Sequence, residues 1–185
     1  MNYVIEAFSN LERFFAKPET LHIFVNNRFL MILLVIVLIK AKYKTYSSLC
    51  LSALVNIPGT FLHEMSHFIV GLLFNARPTR FNLWPKKRDG GYVLGSVSLT
   101  NPQFYNALPA SLAPLLLLII GYYFNKWYFA NVKIGYLNYI GYIFLQTVII
   151  ENAIPSMQDF RIAFSKPIGV VLYFALILAG LLYFL

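Results

Sequence analysis

The chain is organised around the stretch TFLHEMSHFIV, which runs from Thr60 to Val70. Within it His63, Glu64 and His67 form the pattern H-E-x-x-H on an otherwise apolar segment that is predicted to be helical. Residues four apart lie on the same face of a helix, so both imidazoles can bind one metal ion. Glu64 directly follows the first histidine and can reach a water molecule beside the metal to take its proton. The pattern therefore predicts a catalytic zinc site.

Two buried histidines and an unrelated glutamate are the alternative explanation of this pattern. A soluble amphipathic helix can carry such residues at little cost. The flanking residues here are apolar enough for lipid, however, where each ionisable side chain costs roughly 2.5–3.5 kcal/mol. Three such groups so close together need a compensating partner, which favours the metal site.

The composition differs from that of an ordinary soluble protein. Of the 185 residues, 59% are hydrophobic and 12% are charged, which is typical of a polytopic membrane protein built as a single domain. The chain has 15 Lys and Arg against 7 Asp and Glu. This excess is explained by loops that lie against an anionic leaflet, so no nucleic acid partner is expected. Cys50 is the only cysteine, so no disulfide can form within the chain.

Hydrophobic segments predict an all-α polytopic membrane protein with about five transmembrane helices and a short membrane-associated β-hairpin between the second and third. An amphipathic helix over 1–17 is predicted to lie in the membrane interface or, alternatively, to pack on the bundle. The predicted spans are 21–39, 46–74, 107–124, 134–154 and 168–185.

The second span and the insert that follows it carry the strongest local signals. Pro58 and Gly59 are predicted to kink or break the second span just before the histidines. A cytoplasmic or re-entrant β insert is predicted over 75–103. Within it, the alternating segment Gly91–Leu99 predicts a strand or hairpin after the turn at 89–91.

The distribution of Lys and Arg predicts the orientation of the chain. If five spans alternate and the N-terminus is cytoplasmic, ten of the 15 Lys and Arg residues lie on the inner side, as the positive-inside rule favours. Lys40, Lys42 and Lys44 then lie on the outer side. The histidine motif and Asp159 both fall at the cytoplasmic ends of their helices.

A catalytic zinc ion usually has three protein ligands and one open position. Asp159 is the favoured third ligand, because it follows the interruption at 155–156, where the backbone can turn a carboxylate inward. Glu151 and His22 are the other candidates. An ion pair with Arg161 is the alternative role for Asp159.

The chain resembles the site-2 protease family of intramembrane zinc metalloproteases over roughly residues 57–159. The resemblance rests on H-E-x-x-H at 63–67 in a transmembrane helix, followed by a distant Asn152-x-x-Pro155 and by Asp159. It implies a small version of such a protease, without a PDZ domain, in the membrane of a bacterial cell.

The resemblance also implies a role for each motif residue. Zinc would be bound by His63, His67 and Asp159, and Glu64 would activate water. Asn152 would steady the backbone of the substrate, which is a transmembrane protein cleaved near the cytoplasmic face of the bilayer.

A strand within the insert is implied to bind the unwound substrate by β-augmentation. Val93, Gly95 and Val97 are the expected contact residues in this strand.

Two other classes of function are compatible with the sequence. A non-catalytic metal-binding membrane protein, or a degenerate protease that acts as a helix-binding adaptor, would keep the metal ligands but has no need of Glu64. A metal transporter would carry ionisable residues along several helices, whereas here they cluster at one depth.

Overall fold

The structure is a computed structural model that describes residues 3, 5, 6, 9, 10, 13, 14, 17–44, 49–84, 86–88 and 91–184. The described helices and strands, in chain order, are α1 Pro18–Asn26, α2 Arg28–Tyr43, α3 Leu49–Leu73, β1 Pro78–Asn82, β2 Lys86–Arg88, β3 Gly91–Val93, β4 Ser96–Leu99, α4 Ala107–Ser111, a 3-10 turn Ala113–Leu115, α5 Leu116–Asn131, α6 Tyr136–Glu151, α7 Met157–Ala163 and α8 Pro167–Phe184. The predicted mostly helical fold with a small β insert is confirmed. The amphipathic helix predicted over 1–17 lies largely outside the described residues.

Among the described residues, one helix is long and apolar enough to cross a membrane, and this is α8. Its 18 residues correspond to about 27 Å of helix. Helices α2, α5 and α6 have 16 residues each, which gives about 24 Å, against about 30 Å for a hydrocarbon core. Helix length and composition therefore support one membrane span in the described part of the chain.

The first predicted span, 21–39, is divided into two helices. α1 ends at Asn26 and α2 begins at Arg28, and Asn27 between them has an extended backbone with φ −88° and ψ 93°. The Asn27 side chain accepts a hydrogen bond from the Leu30 amide at 3.2 Å. The prediction of one continuous helix is wrong because an asparagine at this position caps a new helix start by pairing an otherwise unpaired N–H.

The third predicted span, 107–124, is also interrupted. The short helix α4 ends at Ser111, and a 3-10 turn leads into α5, which begins at Leu116. Pro114 is fully buried in this turn. Because proline has no N–H and its ring clashes with the preceding turn of a helix, it favours such a break. The interruption leaves α4 as a separate helix beside α3.

Helix α3 continues through Pro58 as one helix of 25 residues, so of the two predicted alternatives the break is wrong and the kink stays a prediction. The proline costs a helix about 3 kcal/mol, which packing against neighbouring elements can offset. Gly59 makes one such close contact, because a Cβ atom built on it would overlap the side chain of Asn152. The glycine thus lets the end of α6 approach α3 closely.

The insert forms one antiparallel hairpin with two nested ladders. β1 pairs with β4, and β2 pairs with β3. The predicted strand at Gly91–Leu99 is interrupted at 94–95, between the two ladders, and the pairing of β1 with β4 has an irregular register between Thr79 and Asn82. In that irregular stretch Arg80 has a φ of 52°, a conformation that breaks the regular pleat. Residues 89–90 of the predicted turn lie outside the described residues.

Aromatic packing fixes the hairpin on α3. The ring of Phe81 in β1 lies edge-on to Phe61, with ring centroids 6.1 Å apart, and edge-on to Phe68 at 5.9 Å. Edge-to-face pairs at such distances are favourable geometries for aromatic rings. The two α3 rings are close to the histidine motif in sequence, so the hairpin is held above the motif.

Helices α2 and α6 run parallel to each other. The Tyr142 hydroxyl lies 3.5 Å from the Met31 sulfur, and farther along both helices Lys42 Nζ lies 2.5 Å from Glu151 Oε2. An alternating five-span scheme requires these helices to be antiparallel and places Lys42 and Glu151 on opposite sides. That scheme is therefore wrong for α2, and the cytoplasmic N-terminus loses its support. The charge count failed because Lys42 pairs with a carboxylate within the protein.

Candidate metal centre

Helices α3 and α7 bring the three predicted metal ligands together. The Nε2 atoms of His63 and His67 lie 3.5 Å and 3.4 Å from the two carboxylate oxygens of Asp159. The two Nε2 atoms are 3.2 Å apart. These side chains form a group that could hold a metal ion.

Backbone carbonyls determine which nitrogen of each imidazole carries the proton. His63 Nδ1 lies 2.8 Å from the carbonyl oxygen of Asn152, and His67 Nδ1 lies 2.8 Å from that of Ala110. A carbonyl oxygen can only accept, so each Nδ1 carries a proton, and in the neutral imidazole Nε2 is then the atom with a lone pair. Hydrogen bonds of this kind orient histidines that bind metals.

The donor set and its spacing fit a transition-metal ion. Two imidazole lone pairs and a carboxylate meet at one point, and they repel one another unless a cation lies between them. The ligand atoms of a tetrahedral zinc site with bonds of about 2.0–2.1 Å lie about 3.4 Å apart. The two Nε2 atoms are 3.2 Å apart, and one ligand atom from each of the three residues lies within 4.8 Å of the others. Nitrogen-rich sites of this kind favour zinc and similar metals over magnesium or calcium.

Asp159 is held in place by the start of α7. The Ser156 amide donates to Asp159 Oδ2 at 2.7 Å, and the Asp159 amide donates to Ser156 Oγ at 3.2 Å, so the two residues form a capping box. Burial acts to raise the pKa of Asp159, but the adjacent His63 and His67 imidazoles and the contact to Ser156 lower that pKa well below its usual range. The carboxylate therefore stays ionised and available to a cation.

The other two candidates for a third ligand lie elsewhere. His22 is exposed on α1, where its Nε2 lies 2.7 Å from the Asn26 side chain. Glu151 lines the cavity beside the ligands, but its carboxylate pairs with Lys42. The geometry therefore selects Asp159.

Glu64 is buried beside the ligands, with 7% of its surface exposed. It lies close enough to interact electrostatically with His63, His67 and Asp159, and the backbone of Val97 lies near its carboxylate.

Gly95 brings the hairpin against Glu64. A Cβ atom on Gly95 would lie 3.0 Å from Glu64 Cγ and would overlap the Thr60 side chain. Only a glycine leaves room for this approach, so the segment before β4 covers the carboxylate.

A cavity of about 930 Å³ opens over these groups, and the predicted substrate-binding residues Val93, Gly95, Val97 and Asn152 all line it. β4 pairs with β1 along one edge, and Val97 in this strand borders the site. The Asn152 side chain donates to the Val148 carbonyl at 2.8 Å. Its backbone carbonyl, which sequence reasoning did not consider, is the group that contacts the metal site.

Three further features of the site were missed at the sequence level. The carbonyl of Ala110 and the hydroxyl of Ser111, which also lines the cavity, come from α4, and no pattern marks them. The pair Ser156 and Asp159 was readable, because a serine three residues before an acidic residue is a capping-box pattern.

Comparison with known protein families, with curated proteins and with solved structures gives no match to this chain. The resemblance to the site-2 protease family therefore rests on the motif residues alone.

Proposed function

We propose that this protein is an intramembrane zinc metalloprotease that hydrolyses peptide bonds of transmembrane substrates. The observation that carries the proposal is the meeting of His63 Nε2, His67 Nε2 and the Asp159 carboxylate within 3.5 Å of one another, beside the buried carboxylate of Glu64. Structural zinc sites are closed by a fourth protein ligand, whereas catalytic sites combine three ligands with an acid–base group.

The chemistry follows from the roles that these side chains can take. A bound zinc ion would act as a Lewis acid on the oxygen atoms of the peptide and of water. Glu64 takes a proton from the attacking water and passes it to the leaving amine. The close approach of Gly95 holds the Glu64 carboxylate at the wall of the cavity.

The edge of β4 is the proposed binding surface for the substrate backbone. A transmembrane helix hides its peptide groups in intrahelical hydrogen bonds, so a segment must unwind before it can be cleaved. The edge of β4 that does not pair with β1 borders the cavity and can pair with such an extended segment.

Exposed apolar side chains support the proposal that the protein lies in the membrane and crosses it more than once. Ile119 of α5 is 54% exposed, Phe144 of α6 is 52% exposed and Phe174 of α8 is 68% exposed. Such broad apolar surfaces on several helices are unfavourable in water and are matched by lipid.

Positive charge favours a cytoplasmic position for the site. Lys40 and Lys44 flank the end of α2 that contacts Glu151, and Arg161 and Lys166 belong to or follow α7. This end of the molecule faces the cytoplasm under the positive-inside rule. Cleavage would then release a fragment on that side.

The test compares zinc content and proteolysis in the detergent-purified protein. We expect about one zinc per chain in the wild type, and loss of zinc in His63→Ala and Asp159→Ala. Glu64→Gln should keep zinc but lose cleavage of an unfolded probe protein, casein, by a factor of about 10²–10⁴. Glu19→Gln, which changes an exposed carboxylate on α1, is the matched control.

Two outcomes would contradict the proposal. Wild-type protein that binds no zinc would leave the histidine motif without a metal. Zinc binding with no cleavage, or with cleavage that survives Glu64→Gln, would favour a metal-binding adaptor over a protease.

A further inference from the structure

Ser111, at the end of α4, has a buried hydroxyl without a partner. The residue is 1% exposed, and its Oγ has no hydrogen-bond partner in the described part of the chain. A buried hydroxyl that loses water without gaining a partner destabilises the folded state. Buried polar groups in folded proteins usually have a hydrogen-bond partner, so the unpaired hydroxyl of Ser111 calls for an explanation.

The location of Ser111 suggests what its partner is. It lines the cavity that also contains the proposed metal ligands and Glu64. The residue before it, Ala110, accepts the hydrogen bond from His67. Helix α4 packs against both α3 and α7, the two helices that carry the ligands.

A second buried polar atom shows that lack of a partner alone does not define a site. The Oε1 atom of Gln146 is also unpaired among the described residues. Its side chain lies between α6 and α5, where Nε2 contacts the Gly121 carbonyl at 3.3 Å, and it does not line the cavity. Of these two unpaired groups, Ser111 is the one that the cavity can supply with a partner.

We infer that Ser111 is a further catalytic residue, whose hydroxyl donates a hydrogen bond to the oxygen of the scissile peptide as that oxygen gains negative charge. This inference rests on the proposed protease function. In the roles proposed above, the imidazole Nε2 atoms and the Asp159 carboxylate present acceptors to the cavity, and Glu64 takes the proton of the attacking water. The unpaired hydroxyl of Ser111 supplies a donor for the negative charge that develops on the peptide oxygen.

Stability and ligand binding separate this role from a structural one. If Ser111 stabilised the fold, Ser111→Ala would lower the melting temperature. Because the hydroxyl is unpaired, we expect the melting temperature of Ser111→Ala to equal or exceed that of the wild type. The same variant should lose the hydrogen bond to the oxygen atom of a ligand bound in the cavity.

The experiment uses the full chain in detergent, loaded with Co²⁺, whose visible spectrum reports on ligands of the metal. Acetohydroxamate is the probe, because its carbonyl oxygen stands in for the peptide oxygen. Ser111→Ala should raise the dissociation constant of acetohydroxamate about tenfold, the effect of losing one hydrogen bond to a charged oxygen. Ser165→Ala, which removes a hydroxyl bonded to the Ile162 carbonyl, should not change it.

Three results would count against the inference. Equal dissociation constants for wild type and Ser111→Ala, with cobalt bound in both, would overturn the role of Ser111 and leave the proposed function intact. Loss of cobalt or a lower melting temperature in Ser111→Ala would make the residue structural. A wild-type protein that does not bind cobalt would overturn the proposed function as well.

Discussion

The ring of His63 is oriented by the backbone carbonyl of Asn152, which accepts its Nδ1–H at 2.8 Å although the residues are 89 positions apart. Asn152 follows the last residue of α6, and its side chain packs against Gly59 one turn before His63 in α3. The contact between α3 and the end of α6 therefore sets the direction of a predicted metal ligand. A change in that contact should alter metal affinity without touching a ligand.

Gly59→Ala tests this relationship. The added methyl group would overlap the Nδ2, Cγ and Oδ1 atoms of Asn152, so Asn152 and its carbonyl must move away from His63. We expect zinc affinity, measured by competition with a chelating dye, to fall about 10–100-fold, as for other lost contacts to metal-binding histidines.

A double variant provides the control for Gly59→Ala. Asn152→Ala removes the atoms that the new methyl group would meet, so Gly59→Ala with Asn152→Ala should recover most of the zinc affinity. If the double variant binds zinc as weakly as Gly59→Ala alone, the loss of zinc affinity comes from a change in α3 itself and not from the position of the Asn152 carbonyl.

Zinc should stabilise the folded protein. Three acceptors that meet without a cation repel one another, and a ligand at 100 times its dissociation constant adds about 2.7 kcal/mol to the free energy of unfolding. We expect EDTA to lower the melting temperature and zinc to restore it. Magnesium should have no effect, because it disfavours imidazole ligands. A zinc response that persists in His67→Ala would place the binding site elsewhere.

The two roles of Asp159 can be separated experimentally. Ser156→Ala removes the N-cap of α7 and should cost about 0.5–2 kcal/mol of stability, with zinc stoichiometry unchanged. Asp159→Asn keeps an oxygen that can accept from the Ser156 amide but loses the charge, so zinc should be lost with little change in the stability of the metal-free protein. Chemical denaturation and elemental analysis measure these effects. Retention of zinc in Asp159→Asn would contradict the assignment of Asp159 as a ligand.

Gly95→Ala should impair catalysis more than metal binding. Its methyl group would press on Glu64 Cγ at 3.0 Å and overlap Thr60, so the hairpin or the carboxylate must shift. We expect cleavage of casein to fall at least about tenfold, since a small misplacement of a reacting group can cost about 100-fold. Gly141→Ala in α6 is the matched control, because nothing lies within 4 Å of its added Cβ. Equal activity of the two variants would exclude the close contact at Gly95.

Local patterns predicted the centre of the site, and contacts between distant backbone segments could not be predicted. His63 and His67 share a helix face by spacing alone, and Asp159 stood out because it follows an interrupted helix. The carbonyls of Asn152 and Ala110 have no sequence signal, because every residue has a carbonyl.

The relative direction of helices α2 and α6 could not be predicted from the sequence either. The rule of alternating spans placed Lys42 and Glu151 on opposite sides, but a charge count cannot show that two helices run parallel and share an ion pair within the protein. The cap at Asn27 could have been read, since asparagine favours a helix start, but the apolar residues around it favoured one continuous span.

The ion pair between Lys42 and Glu151 provides a direct test of this packing. Their side chains are 11% and 14% exposed, so removal of one partner leaves a largely buried charge and should cost about 3–5 kcal/mol. Lys42→Met should therefore lower the stability strongly, whereas Lys40→Met, at an exposed position on the same helix, should change it by less than about 0.5 kcal/mol. Because Glu151→Gln removes the carboxylate that Lys42→Met leaves unpaired, the double variant should recover much of the lost stability. Equal stability of the two lysine variants would show that α2 and α6 do not meet at this pair.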